Sequence, residues 1–332
     1  MTSTQAPSTG SSHGGSTHGG LAALGNLAGD LVHDTVAAIA RTEFSPDTTS
    51  QDRYMLWRWT QVTDVVEYLI PRLPRAIGRT WPAYMDTTPG HRDIPDDELA
   101  RQVKELGPWF VPFRLRRGLA TVDLKSKLGG ENVDKYLFRR DLITGTVADL
   151  LGDDLDASTV LDIGCNSGYF SLDLAARGAA HVDGFDLREE NIARARFVAE
   201  HYGLTNVDFR VADAETLGAD EQWDVVLNLG LLYHLTNPLD VLRRTYELCR
   251  RFAIIDTVCH TEPVAAFFLF GDKDTDHPAE GRERWEFHPT YRGAVEAIRF
   301  AGFSEVVELV AVTDRPHPLY ESGNRRCFLA VK

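Results

Sequence analysis

Asp162-Ile-Gly164-Cys165-Asn166-Ser-Gly168 puts a carboxylate, two glycines and an asparagine into one short run, and the spacing suits a ligand-binding turn. The glycines permit left-handed backbone and let a ligand approach bare main chain, a use that a Cβ would block. Asn tolerates left-handed conformations, so Asn166 shapes the turn or touches the ligand. Phosphate-binding dinucleotide turns need Gly-x-Gly-x-x-Gly, and Gly164-x-Asn166-x-Gly168 does not have that spacing. Asp162 places negative charge beside the ligand, which favours a cationic group over a pyrophosphate. Cys165 reads as a small buried residue with no mark of a nucleophile.

The elements that must carry this run follow from its flanks. Val160, Leu161 and Ile163 fit a short parallel strand covered on both faces, and Tyr169 to Arg177 has helical spacing. The ligand then lies at a helix N-terminus, outside the carboxyl end of a strand. Further strands are expected at His181–Asp186, Val207–Asp213 and Trp223–Asn228, separated by helices such as Glu189 to His201 and Pro238 to Leu248. An alternating pattern of this kind makes an α/β sheet with its ligand crevice at the strand carboxyl ends.

At this point the chain resembles the class I S-adenosylmethionine-dependent methyltransferases, whose first motif has an acidic residue two positions before its first glycine. The resemblance implies an α/β fold, a Rossmann-like seven-stranded sheet with helices on both faces, and S-adenosyl-L-methionine as cofactor. It also implies roles for particular residues. Asp186, 22 positions after Gly164, accepts the ribose hydroxyls, with Leu187 beside it. Asp213 holds the adenine amino group, or else only caps the next segment, while the amide of Ala214 reaches the ring. With Asp162, Gly164, Cys165, Asn166, Gly168, Asn228 and Tyr233, these form the expected cofactor set.

The segment Gly107-Pro-Trp109-Phe110-Val111, together with Gly230-Leu-Leu-Tyr233-His234, narrows the likeness to the tRNA wobble-uridine carboxymethyltransferase family and its relatives. That family carries a lysine after its Pro-Trp pair to hold the extra carboxylate of carboxy-S-adenosylmethionine, where this chain has Phe110 and Val111. The departure favours plain S-adenosylmethionine and methyl transfer to a small, anionic metabolite through O or N, with tRNA modification as the rival within the class. A nicotinamide-dependent oxidoreductase or a non-catalytic cofactor-binding protein is the reading of another class.

Methyl transfer needs alignment and, for a hydroxyl or amine, a proton acceptor. His234 is the candidate base, since an unperturbed imidazole titrates near neutrality, with a shelf for the cofactor as its other reading. Trp109, Arg114, Tyr233, His260, His288 and Arg325 are the candidate acceptor contacts. Arg315, His317 and Tyr320 lie in a loop placed to reach the rim.

Composition bounds the rest. With 332 residues the chain has room for a methyltransferase domain over 151–332, a lid insertion at 258–289, and a mainly helical region over 21–150 with a strand near 113–122. Residues 1–20, rich in Ser, Thr, Gly and His, are expected to be a disordered tail. Helices are expected over Leu21–Ala40 and Gln51–Ile70, packed on the body or joining a homodimer. Formal charge of −14 disfavours nucleic acid as a partner, although Arg114 to Arg140 holds eight Lys or Arg against three acids. That stretch is either a solvated face or the wall that meets an anionic group. Cysteines at 165, 249, 259 and 327 show no metal-ligand spacing, no metal is expected, and a reducing cytoplasmic location is the simplest reading. No membrane segment and no basic-headed leader are expected, Arg41 being the first basic residue.

Overall fold

Strands and helices alternate from residue 159 onward as the hydrophobic pattern requires. The computed structural model describes residues 70–78, 93–116, 118–218, 221–271 and 285–332. The expected tail over 1–20, the helix over 21–40 and nearly all of that over 51–70 lie outside these residues, as do Asp272, Asp274, Asp276 and His277.

In chain order the strands are β1 (Arg72–Ala76), β2 (Arg114–Arg116), β3 (Leu119–Ala120), β4 (Thr159–Ile163), β5 (His181–Asp186), β6 (Val207–Val211) and β7 (Trp223–Leu229). They continue as β8 (Cys249–Val258), β9 (Phe267–Gly271), β10 (Trp285–Pro289), β11 (Glu305–Val312) and β12 (Arg325–Val331). The helices are α1 (Asp96–Glu105), α2 (Lys127–Leu151), α3 (Tyr169–Ala176), α4 (Glu189–Tyr202), α5 (Pro238–Leu248), α6 (Tyr291–Ala301) and the short α7 (Pro318–Glu321).

The main sheet runs β1-β11-β12-β8-β7-β4-β5-β6. Strands β8, β7, β4, β5 and β6 pair in parallel, while β12 is antiparallel to both β8 and β11. Leu161, Ile163, Val226, Ala253 and Ile255 on one face share a core with Val241 and Leu242 of α5 and Ala294, Val295 and Ile298 of α6. Strand alternation turns Val160, Val225, Leu227 and Ile254 to the other face, and these are fully buried as well, so helices cover both sides.

The sheet has eight strands where seven were expected. β1 joins β11 in parallel, with Arg72 opposite Glu308 and an Arg72 Nε to Glu308 Oε2 distance of 3.2 Å. Charge and a proline hide this strand in the sequence, yet Pro74 is tolerated because β1 lies at the edge and its missing N–H breaks no ladder. The strand expected near 113–122 is a two-stranded antiparallel pair, β2 with β3. α2 falls almost wholly within the stretch 21–150 expected to be mainly helical, although no particular helix was placed there. Ser126 caps it, accepting from the Gly129 amide at 3.0 Å, and its 25 residues run to Gly152. Within the expected lid, β9 and β10 form an antiparallel hairpin.

Two glycines make room for one ring. A Cβ on Gly184 would lie 2.6 Å from the Phe209 ring, and one on Gly168 2.7 Å from it. Gly184→Ala is therefore expected to destabilise the fold by about 1–3 kcal/mol through overpacking. Combined with Phe209→Leu it should cost less than the two single changes added, as read by urea denaturation; strict additivity would show that the ring is not the obstacle.

Candidate active site

β4 delivers the turn to the carboxyl edge of the sheet. Gly164 has φ 72° and Asn166 φ 52°, so the asparagine holds a left-handed position that most side chains avoid. Its own Oδ1 accepts from the Ser167 amide at 2.7 Å, which fixes the turn, while its backbone N–H donates to Asp186 Oδ2 at 2.9 Å. Asp162 is 1% exposed and accepts from Ser171 Oγ at 2.6 Å. Burial pushes its carboxyl up to about 6, against the pull of Ser171 and Arg139.

Asp186 ends β5. Its Oδ1 accepts from the Arg188 amide at 2.9 Å and Asn191 Nδ2 at 3.1 Å, and its Oδ2 from the Asn166 amide. Burial lifts this carboxyl above the ordinary range, and the Arg188, Asn191 and Asn166 donors pull it back. Each oxygen keeps acceptor capacity for a diol. Asp213 follows β6, where its Oδ1 accepts from the Glu215 amide at 3.0 Å.

These residues open into a cavity of about 800 Å³. Asp162, Gly164, Cys165, Asn166, Asp186 and Leu187 line it, as do Asp213, Ala214, Tyr233, His234 and Arg325. Two members of the expected cofactor set do not. Gly168 starts α3 with φ 78° and faces Phe209, so its role is packing. Asn228 is fully buried and donates from Nδ2 to Thr245 Oγ1 at 3.3 Å, tying β7 to α5.

Four expected acceptor contacts also fall outside the lining. The Trp109 indole donates to the Val103 carbonyl at 2.6 Å and packs on Phe113 and Phe197, whereas its neighbours Phe110 and Val111 line the cavity. Arg114 sits on β2, its carbonyl accepting from the Tyr202 hydroxyl at 2.6 Å. His260 lies against Phe268, ring centres 4.5 Å apart. His288 stands one layer back, its ring 5.7 Å from that of Tyr233.

Glu286 of β10 belongs to the expected lid but was not among the candidate site residues. It lines the cavity between two histidines, with its Oε1 3.1 Å from His234 Nδ1 and its Oε2 2.7 Å from His288 Nε2. α2 adds Lys135, Tyr136 and Arg139 to the lining. Beneath them Asp256 of β8, with no exposed surface, accepts at Oδ1 from Arg139 Nη2 at 2.8 Å and Arg325 Nη2 at 2.6 Å; its Oδ2 accepts from the Tyr320 hydroxyl. Burial alone would raise Asp256, but the two arginines hold it below the ordinary carboxylate range.

A family model described as "Methyltransferase domain" matches residues 154–277. A protein of Ruegeria pomeroyi named ubiquinone biosynthesis O-methyltransferase is 40% identical over 119 residues, which are 34% of this chain and 47% of that protein. A protein of the same name from Ruegeria sp. (strain TM1040) is 36% identical over 142 residues, 40% of this chain and 57% of that one. The chain thus spans about half the length of the curated relatives it matches. Among solved structures, the N-terminal domain of EvdMO1 with SAH bound is 26% identical, covering 72% of this chain and 96% of that one with a TM-score of 0.55. The sheet order and the turn between β4 and α3 are those of a Rossmann-like methyltransferase fold, and the match over 154–277 is to a methyltransferase domain.

Proposed function

We propose that the protein binds S-adenosylmethionine in this cavity and methylates an oxygen of a small-molecule acceptor. The observation that carries the reading is the His234–Glu286 pair, set in the same cavity as Asp162 and Asp186. Asp186 offers two oxygens, both held by protein donors on one side, to the ribose hydroxyls. Asp213, Ala214 and Leu187 line the same cavity, and this reading gives the first two to the adenine edge and Leu187 to its face. Asp162 supplies negative charge toward the cationic end of the ligand. The name shared by the Ruegeria relatives supports an oxygen acceptor.

When bound, S-adenosylmethionine would supply a sulfonium-activated methyl carbon open to in-line attack by an acceptor oxygen, with S-adenosylhomocysteine as the leaving group. In this reading His234, its Nδ1 3.1 Å from Glu286 Oε1, uses Nε2 as the base for the acceptor hydroxyl. The imidazolium that forms faces the Glu286 carboxylate, which stabilises it, and His288 holds the other carboxylate oxygen in place. Tyr233, its ring centre 4.1 Å from that of His234, restricts the imidazole orientation.

His234→Asn should lower methyl transfer by about 10²–10⁴-fold. The measurement is SAH release from S-adenosylmethionine across a panel of hydroxylated small molecules, with calorimetric S-adenosylmethionine affinity unchanged. Equal rates for variant and parent would remove the base assignment, and absence of binding heat in the parent would remove the whole reading.

Asp162 titrates in a usable window. A cationic ligand favours its ionised form, so affinity should climb about tenfold from about pH 5 to about pH 7 as Asp162 loses its proton near 6. In Asp162→Asn that rise should vanish; if it persists unchanged, another group is the source.

A further inference from the structure

Charge in the cavity is divided largely by strand order, with Arg188 after β5 and Glu286 on β10 as exceptions. Asp162 on β4, Asp186 at the end of β5 and Asp213 just after β6 belong to three neighbouring strands at one end of the sheet. On the other side of β4, α2 and β12 contribute Lys135, Arg139 and Arg325 to the same cavity. Arg139 and Arg325 share the single carboxylate Asp256, and the buried Arg139 Nε has no hydrogen-bond partner. Lys135 has no acid against it among the described residues. Its ammonium lies over the Phe110 ring at 4.5 Å and near the Tyr136 ring at 5.4 Å.

We propose that this wall is an anion receptor, and that the methyl acceptor carries a carboxylate or phosphate seated on Lys135 with Arg139 and Arg325. The proposal rests on the methyltransferase reading above. A cationic cofactor suits the acidic half of the cavity, and the cationic half is left for a partner of opposite sign. Burial, followed by Arg139 and Arg325, pushes Lys135 down to about 8. A cation held in that state gains from an anion, which restores its charge. Phe110 and Tyr136 strip water from the ammonium and sharpen its preference for a charged oxygen over a neutral one.

The test uses protein saturated with SAH and two probes, 4-hydroxybenzoate and its methyl ester, with inorganic phosphate as a third ligand. The acid should bind at least about tenfold more tightly than the ester, a difference of about 1.4 kcal/mol. Lys135→Met should erase the difference, and Lys135→Arg should keep it. Calorimetry near pH 8 in two buffers should register proton uptake on binding of the acid, absent in Lys135→Met. Ester and acid binding alike, or no saturable binding of either the acid or phosphate, would overturn the receptor.

The wall could instead serve the amino-acid carboxylate of the cofactor. In that case Lys135→Met weakens SAH by about tenfold and leaves 5′-methylthioadenosine, which lacks that carboxylate, untouched; this result also overturns the proposal. Failure of SAH to bind the parent protein marks the failure of the methyltransferase reading, whereas intact SAH binding without discrimination between acid and ester marks the failure of the receptor alone.

Discussion

A single carboxylate without water contact, Asp256, sets the terms for the rest of the site. Removing a charge from water costs several kcal/mol, so this residue is tolerable only with its donors in place: Arg139 from α2, Arg325 from β12 and the Tyr320 hydroxyl from α7. Those partners lie 117, 69 and 64 residues away in the chain. The pairing therefore fixes α2 against the middle of the sheet, although the chain reaches α2 before the Rossmann-like alternation begins. It also holds two guanidinium groups at the cavity wall in one arrangement, with Arg139 over Phe170 and Arg325 near Tyr233. The charge pattern of the cavity is thus built into the packing and does not wait for a ligand to organise it.

What the amino-acid order reveals here is the part encoded by neighbours. Strands β4 to β7 are local patterns, and the structure places them as the patterns imply; the turn from Asp162 to Asn166 and the acids at 186 and 213 open into one cavity, whereas Gly168 is given over to packing. The bounds of α2 were opaque for a physical reason. It buries Tyr136, Leu137, Phe138, Arg139 and Arg140 in succession, so charged and apolar residues share its buried side and blur its helical period. The available signal was the spacing of Lys135 and Arg139, which puts two cations on one helical face. Glu286 was hidden differently, since its partners His234 and His288 come from a turn and a strand that only the hairpin brings together. Trp109 and Arg114 were favoured by residue type, but tertiary contacts draw the indole to Val103 and the Arg114 carbonyl to Tyr202, and leave the less conspicuous Phe110 in the cavity.

β1 has a bearing on how the protein can be divided. Its hydrogen bonds cover the outer edge of β11, a strand that is otherwise open along Glu308 to Val312, and Pro74 with Arg72 and Arg75 makes the new edge a poor template for another strand. A fragment cut to the methyltransferase-like portion alone would keep the cavity's acidic half but bare that edge to other chains. Residues far from the ligand and early in the sequence thereby act as the guard against sheet-to-sheet association, a service the catalytic portion cannot perform for itself.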